Sequence, residues 1–338
     1  MSVSAFICGT AGPTLGAEER AFLRDADPWG FILFRRNCET PEQIRALTAA
    51  LREAVGRDAP VLIDQEGGRV QRLGPPQWPA YPTGRTYGDL FARSPRDGRR
   101  AAHLGARLIA ADLAALGIDV DCLPVLDVPV EGAHDVIGHR AYGVTPDVVA
   151  DLGRAAAHGL LEGGVLPVIK HIPGHGRAGA DSHHDLPVVD TALAVLEQTD
   201  FPPFRAAAAL PLAMTAHVVY TALDPDRPAT TSKRVIDEVI RGFIGFDGCL
   251  MSDDVSMRAL SGSIGERTAA AVAAGCDLAL HCNGDLAEMR EVAAAAPSLA
   301  GRAAQRAARA LAARRPPLPF DEAAARAEFA RLTEAAPV

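Results

Sequence analysis

Short runs of β-branched and other apolar residues alternate along the chain with longer stretches whose apolar residues recur at helical spacing. The short runs predict strands at Val3–Cys8, Gly30–Phe34, Pro60–Asp64, Asp119–Leu126, Leu166–His171, Leu212–Val218, Cys249–Ser252 and Leu278–Cys282. The longer stretches predict helices at about 16–25, 41–56, 97–116, 147–163, 191–209, 232–244, 264–274 and 285–313. Such alternation marks parallel βαβ units, and eight strands point to a closed (β/α)8 TIM-type barrel rather than an open sheet. The tail from 320 to 338 reads as one further helix packed outside. The whole of 1–338 is therefore expected to be a single barrel domain.

Composition narrows the class. The chain has 338 residues, 48% hydrophobic and 22% charged, which excludes collagenous, mucin-like and wholly disordered chains. Only 5% of residues are aromatic, so the core is built from small and branched aliphatics that suit helix-on-sheet packing. Asp and Glu number 42 against 34 Lys and Arg, an acidic balance that argues against a nucleic-acid partner. The one basic run, 302–315, interleaves arginine with Ala and Leu at helical spacing and reads as a solvated helix face. No apolar stretch reaches the ~18 residues of a membrane span. The N-terminal segment lacks the charged and apolar regions of a secretory signal. The six cysteines (Cys8, Cys38, Cys122, Cys249, Cys276, Cys282) form no CxxC pair, so free thiols and a cytoplasmic location are expected.

Candidate chemistry gathers where strands end. Asp64-Gln65-Glu66, Asp127, Lys170-His171, His217, Asp253-Asp254 and His281-Cys282-Asn283 all stand at strand-to-loop junctions. In a (β/α)8 barrel those junctions converge on one rim, where active sites are found.

Three segments stand out. In 63–73, an acidic strand end, a Gly-Gly turn and two arginines could chelate vicinal sugar hydroxyls, or could form only a local Asp–Arg ion pair. The stretch 170–187 holds four of the ten histidines, with Lys170, Asp181 and Asp185. Asp181 and His183 can share a hydrogen bond that orients the imidazole and leaves its other nitrogen for proton transfer. His171 and His175 have zinc-like spacing, but on a strand-to-turn segment that spacing is not expected to bring both rings to one face. In 249–257, Asp253 stands where a carboxylate nucleophile could sit, and Asp254 could instead cap a helix.

Together these segments resemble the family 3 glycoside hydrolases, most closely the bacterial single-domain β-N-acetylhexosaminidases of the NagZ type. The matching text is IDQEGGRVQRL at 63–73, IGHRAYG at 137–143, VIKHIPGHG at 168–176, DSHHDLP at 181–187, MTAHVVY at 214–220 and MSDDVSM at 251–257. The resemblance implies an exo-acting, retaining β-N-acetylglucosaminidase with no cofactor and no metal. Asp253 would be the nucleophile, and His183 paired with Asp181 the acid/base, a departure from the usual two-carboxylate scheme. Asp64, Arg72, Arg140, Lys170 and His171 would hold the hydroxyls of the N-acetylglucosamine ring. The implied substrates are small (anhydro)muropeptides released in cell-wall turnover, met by a monomer in the cytoplasm. Ile172 stands where Phe is common, Ala141-Tyr142 where Ser-Phe is common, and His184-Asp185 follows the dyad. Two other readings are a β-glucosidase or β-xylosidase of the same family, and a metal-dependent hydrolase using His171, His175 and His183.

Overall fold

The computed structural model describes residues 3–182 and 185–334. Its strands are β1 (Ser4–Cys8), β2 (Pro28–Leu33), β3 (Val61–Ile63), β4 (Gln65–Gly67), β5 (Val70–Gln71), β6 (Val120–Asp121), β7 (Leu166–Ile172), β8 (Val188–Val189), β9 (Leu212–Thr215), β10 (Val219–Tyr220), β11 (Cys249–Asp254) and β12 (Leu278–His281). Eight of them close a parallel barrel in the spatial order β1-β12-β11-β9-β7-β6-β3-β2. Each of the eight predicted strands has its counterpart there. The hairpin β4–β5 and the pair β8–β10 form two small additional sheets.

Strand parity divides the core. Ala5, Ile7, Leu62, Val120, Leu166, Val168, Leu212, Met214, Cys249, Met251, Leu278 and Leu280 alternate along their strands and form one cluster, joined by Ala307 and Ala310. The residues between them pack toward the helices instead, among them Phe6, Phe31 and Ile63 and Ile169, Ala213 and Leu250. Both faces of every strand are thus covered, which explains the near-continuous apolar runs.

The helices depart from expectation in three places, each for a local reason. The helical stretch 285–313 is two helices, Leu286–Ala295 and Gly301–Ala312, because Pro297 cannot continue the first. Likewise 191–209 divides into Leu193–Thr199 and Pro202–Ala206 at a Pro-Pro pair. A helix at Gly84–Arg93 was not foreseen, since Gly84 and Gly88 lower its propensity. They sit there because an added Cβ would strike the carbonyl oxygen of Arg140 at Gly84 and of Tyr142 at Gly88. The tail helix is present as Glu322–Glu334.

Arg302, Arg309 and Arg315 of the basic run are exposed, as expected of a solvated face, but two of its arginines turn to the barrel. Arg306 reaches Asp247 (2.8 Å) and Asp277 (3.3 Å), and Arg314 pairs with Asp58 and Asp119. Asp119 and Asp277 stand just before β6 and β12, where they also accept the N–H groups of Val61 (2.7 Å) and Leu250 (2.9 Å). These arginines therefore fasten the N-terminal end of the barrel, the end associated with stability rather than chemistry.

Candidate active site

The parity that fills the barrel also builds its mouth. One step beyond Ile32, Leu62, Val168, Met251 and Leu280 come Phe34, Asp64, Lys170, Asp253 and Cys282, and all five line a cavity of about 230 Å³. Arg72, Arg140 and His171 line it too. Six of the eight predicted site residues, Asp64, Arg72, Arg140, Lys170, His171 and Asp253, are thereby brought together. Neighbours on a regular strand face opposite ways, yet Lys170 and His171 share this cavity, as do Asp253 and Asp254. Register shifts at Lys170/Ile172 in β7 and at Met251/Asp254 in β11 accompany this, as bulges that re-aim side chains do.

One wall is a buried ion network. Lys170 Nζ donates to Asp64 Oδ1 (2.8 Å) and lies 2.6 Å from Glu66 Oε1. Arg72 Nη2 reaches Asp64 Oδ2 at 2.9 Å. Arg140 grips Glu66 with two parallel bonds, Nη2 to Oε1 at 2.8 Å and Nε to Oε2 at 2.9 Å. Burial would raise the Glu66 carboxyl, but Arg140 and Lys170 outweigh it and bring it down to about 2. Asp64 is likewise held well below the usual carboxylate range, burial being overcome by Lys170 and Arg72. The same pairing outweighs burial at Lys170 and keeps its ammonium protonated. Beneath them, burial raises the Asp121 carboxyl well above the carboxylate range. Its Oδ1 accepts the Gln65 N–H (3.0 Å), and its buried Oδ2 has no hydrogen-bond partner. Three cations, Lys170, Arg72 and Arg140, thus face the two carboxylates of Asp64 and Glu66, which leaves donors for a polar ligand.

Local sequence explains this wall. Gly67 and Gly68, with φ of 98° and 59°, make the β4–β5 turn. Gln65 pins the returning strand by accepting from Arg72 N and Leu73 N, both at 3.0 Å. Arg72 also lies over the Phe34 ring, 5.0 Å from its centroid.

A second wall is built on Asp127. Its Oδ2 lies 2.7 Å from His171 Nδ1, and its Oδ1 accepts the N–H of His175 (2.7 Å). His175 Nε2 lies 3.2 Å from Ser182 Oγ. The His171 and His175 rings meet edge to face, centroids 5.7 Å apart and planes at 63°, because the chain turns at Pro173-Gly174. One nitrogen of each ring is engaged by Asp127 or Ser182. Among the described residues no group of three His, Cys, Asp or Glu is placed to hold a metal ion.

Across the cavity, Asp253 accepts the Asp254 N–H on Oδ1 (2.8 Å) and donates its own N–H to Thr215 Oγ1 (3.3 Å). Asp254 caps no helix. Its carboxylate ties the loop through Ser256 N (3.0 Å), Ser256 Oγ (2.6 Å) and Cys282 N (3.1 Å). His217 supports the same loop from behind, bonding Thr230 Oγ1 (2.7 Å) and the Asp254 carbonyl (3.0 Å). His281 is buried against Glu288, away from the cavity. Asp181 is half-buried in the loop after β7, its carbonyl accepting the Asp185 N–H (3.0 Å). His183 and His184 lie outside the described residues. The six cysteines are free, and burial pushes the Cys38 thiol up to about 12.

Sequence reasoning assigned no role to Glu66 or Asp127, although both stood in the polar strand ends. Phe34 and Cys282 were legible in principle, since each continues the inward parity of its strand. Ser182 carried no signal, because only the return of the loop brings it to His175.

No helix among the described residues is long and apolar enough to cross a membrane. The model of the glycosyl hydrolase family 3 N-terminal domain matches residues 9–313. The beta-hexosaminidase of Alkalilimnicola ehrlichii is 40% identical over 287 residues, 84% of this chain and 82% of that one. That of Bordetella avium is 41% identical over 277 residues, 81% of this chain and 79% of that one. The crystal structure of NagZ from Neisseria gonorrhoeae in complex with N-trifluoroacetyl-D-glucosamine is 32% identical and covers 99% of both chains with a TM-score of 0.88. The chain therefore belongs to glycosyl hydrolase family 3, as a glycoside hydrolase of the β-hexosaminidase kind.

Proposed function

We propose that this hydrolase is an exo-acting, retaining β-N-acetylglucosaminidase that removes terminal N-acetylglucosamine from (anhydro)muropeptides during cytoplasmic peptidoglycan recycling. The observation that carries the reading is one cavity that joins Asp253 to the Asp64–Arg72–Arg140–Lys170–His171 wall. The wall supplies donors and acceptors in the alternating arrangement that vicinal hydroxyls need. The Neisseria relative, which covers this fold end to end, was crystallised with an N-acylated glucosamine.

In the first step an Asp253 carboxylate oxygen forms a bond to the anomeric carbon as the bond to the leaving oxygen breaks. His183, oriented by Asp181, gives that oxygen its proton. In the second step water attacks the same carbon, His183 takes the water proton, and the Asp253 ester bond breaks. Two inversions leave the β configuration. The wall holds charges that are fixed before substrate arrives, so little reorganisation accompanies binding.

The test is hydrolysis of an aryl β-N-acetylglucosaminide followed by NMR, which should show the β anomer first. Asp253→Ala should lower turnover by at least about a thousandfold. Initial release of the α anomer, or near-normal turnover by that variant, defeats the reading. A matched aryl glucoside or xyloside should react far more slowly than the N-acetylglucosaminide.

A further inference from the structure

A second cavity of about 690 Å³ adjoins the first. The two share a seam. Met257 and Ser182 line the sugar cavity, while Arg258, Ala259 and Leu186 line the second. The Ala259 N–H donates to the Ser182 carbonyl (3.3 Å) between them. The second cavity has a floor of small side chains, Ala270, Ala273 and Ala274, from the helix Ile264–Ala274. Its charge is lopsided. Arg227, Arg258, Arg267 and Lys233 line it, against Asp226 as the one carboxylate among the described lining residues.

Of these four cations, Arg227, Arg258 and Arg267 have no carboxylate partner among the described residues. Lys233 is paired with Asp237 at 2.7 Å. Arg267 is nonetheless fixed, since its Nη1 donates to the carbonyls of Val255 (3.1 Å), Ser256 (3.3 Å) and Met257 (3.2 Å), and its Nε to that of Gly262 (3.0 Å). Carbonyls hold a guanidinium without neutralising it. Its charge is therefore anchored on the loop that follows Asp253, while Arg227 and Arg258 are exposed and free to meet an anion.

We infer that this cavity is a leaving-group subsite that receives carboxylates carried by the aglycone, with Arg227 and Arg258 as its contacts. The inference rests on the reading above, because it takes an acidic peptide-bearing sugar to be the group that departs from the anomeric carbon. The two linings meet in sequence at Met257 and Arg258, so the arginines stand on the side of the sugar cavity that carries Met257. A neutral aryl group would leave without touching them.

The experiment compares three substrates that share one N-acetylglucosaminyl group. Their aglycones are a neutral aryl group, an N-acetylmuramyl peptide with free carboxylates, and the same peptide with its carboxylates amidated. In Arg227→Gln/Arg258→Gln, KM for the carboxylated substrate should rise about tenfold, the sum of two exposed charge contacts. KM for the amidated and aryl substrates should stay within about twofold. The wild-type preference for free carboxylates should shrink between ~0.05 and ~0.5 M salt, as screening requires. Equal effects on the carboxylated and amidated substrates, or no effect on either, overturn the subsite while leaving the glycosidase reading intact. Failure of the wild type to cleave the aryl substrate overturns both.

Discussion

His171 Nδ1 lies 2.7 Å from Asp127 Oδ2, and the other oxygen of the same carboxylate receives the His175 N–H at 2.7 Å. Asp127 has no exposure to solvent and does not line the cavity, so it acts through the histidines. A carboxylate at Nδ1 fixes that nitrogen as the donor and leaves Nε2 as the atom turned to a ligand. Burial would raise the Asp127 carboxyl, but His171 and His175 keep it below the ordinary range. Replacing it by the isosteric amide removes the charge and offers Nδ1 a donor where it had an acceptor. Asp127→Asn should lower kcat/KM for an aryl β-N-acetylglucosaminide by ~10- to 100-fold, the worth of one charged hydrogen bond. Circular dichroism should remain that of the wild type. An unchanged kcat/KM would show that His171 needs no orientation.

Gly88 makes a different kind of support visible. It lies on the helix Gly84–Arg93, and a Cβ there would collide with the backbone oxygen of Tyr142. That backbone runs directly on from Arg140, whose grip on Glu66 completes the ion network. In an exposed helix Gly→Ala would gain about 1 kcal/mol. Here overpacking against a carbonyl costs roughly 1–3 kcal/mol and wins, because backbone cannot rotate away as a side chain can. Gly88→Ala should therefore lower Tm and raise KM together. Gly12→Ala, where a Cβ meets nothing within 4 Å, should change neither. Equal behaviour of the two variants would remove the helix from the account of the site.

A pH dependence of stability follows from His175. Burial, with His171 beside it, pushes the imidazole down to about 4 from its ordinary 6.5. The folded state thus prefers the neutral ring more than the unfolded state does. The contribution is complete above pH 6.5 and is lost as pH falls through the window from 6.5 to about 4. Urea unfolding of wild type and His175→Gln at several pH values isolates it. The wild type should lose roughly 3 kcal/mol relative to the variant across that window. Parallel stability curves would mean that the ring is protonated as easily in the fold as outside it.

The polar residues at strand ends show how far local pattern reaches. Asp64, Lys170 and Asp253 continue the inward alternation of β3, β7 and β11, so their convergence follows from parity once the strands close. His217 and His281 stand at equivalent points in the text, yet both are buried behind the rim on Thr230 and Glu288. A strand end says that a side chain is near the mouth. It does not say which neighbour has already claimed its nitrogen.

The sequence by itself determined the eight strands, the closed parallel barrel and the rim on which chemistry collects. Those follow from periodicity and parity, which are local properties of the chain. Tertiary structure alone decided that Glu66 joins Lys170 to Arg140, that Asp127 orients His171, and that Arg306 and Arg314 tie the base of the barrel. Each of these is a pairing between residues tens or hundreds of positions apart. Such a contact depends on how the closed barrel brings loops together and which charges burial then forces into pairs.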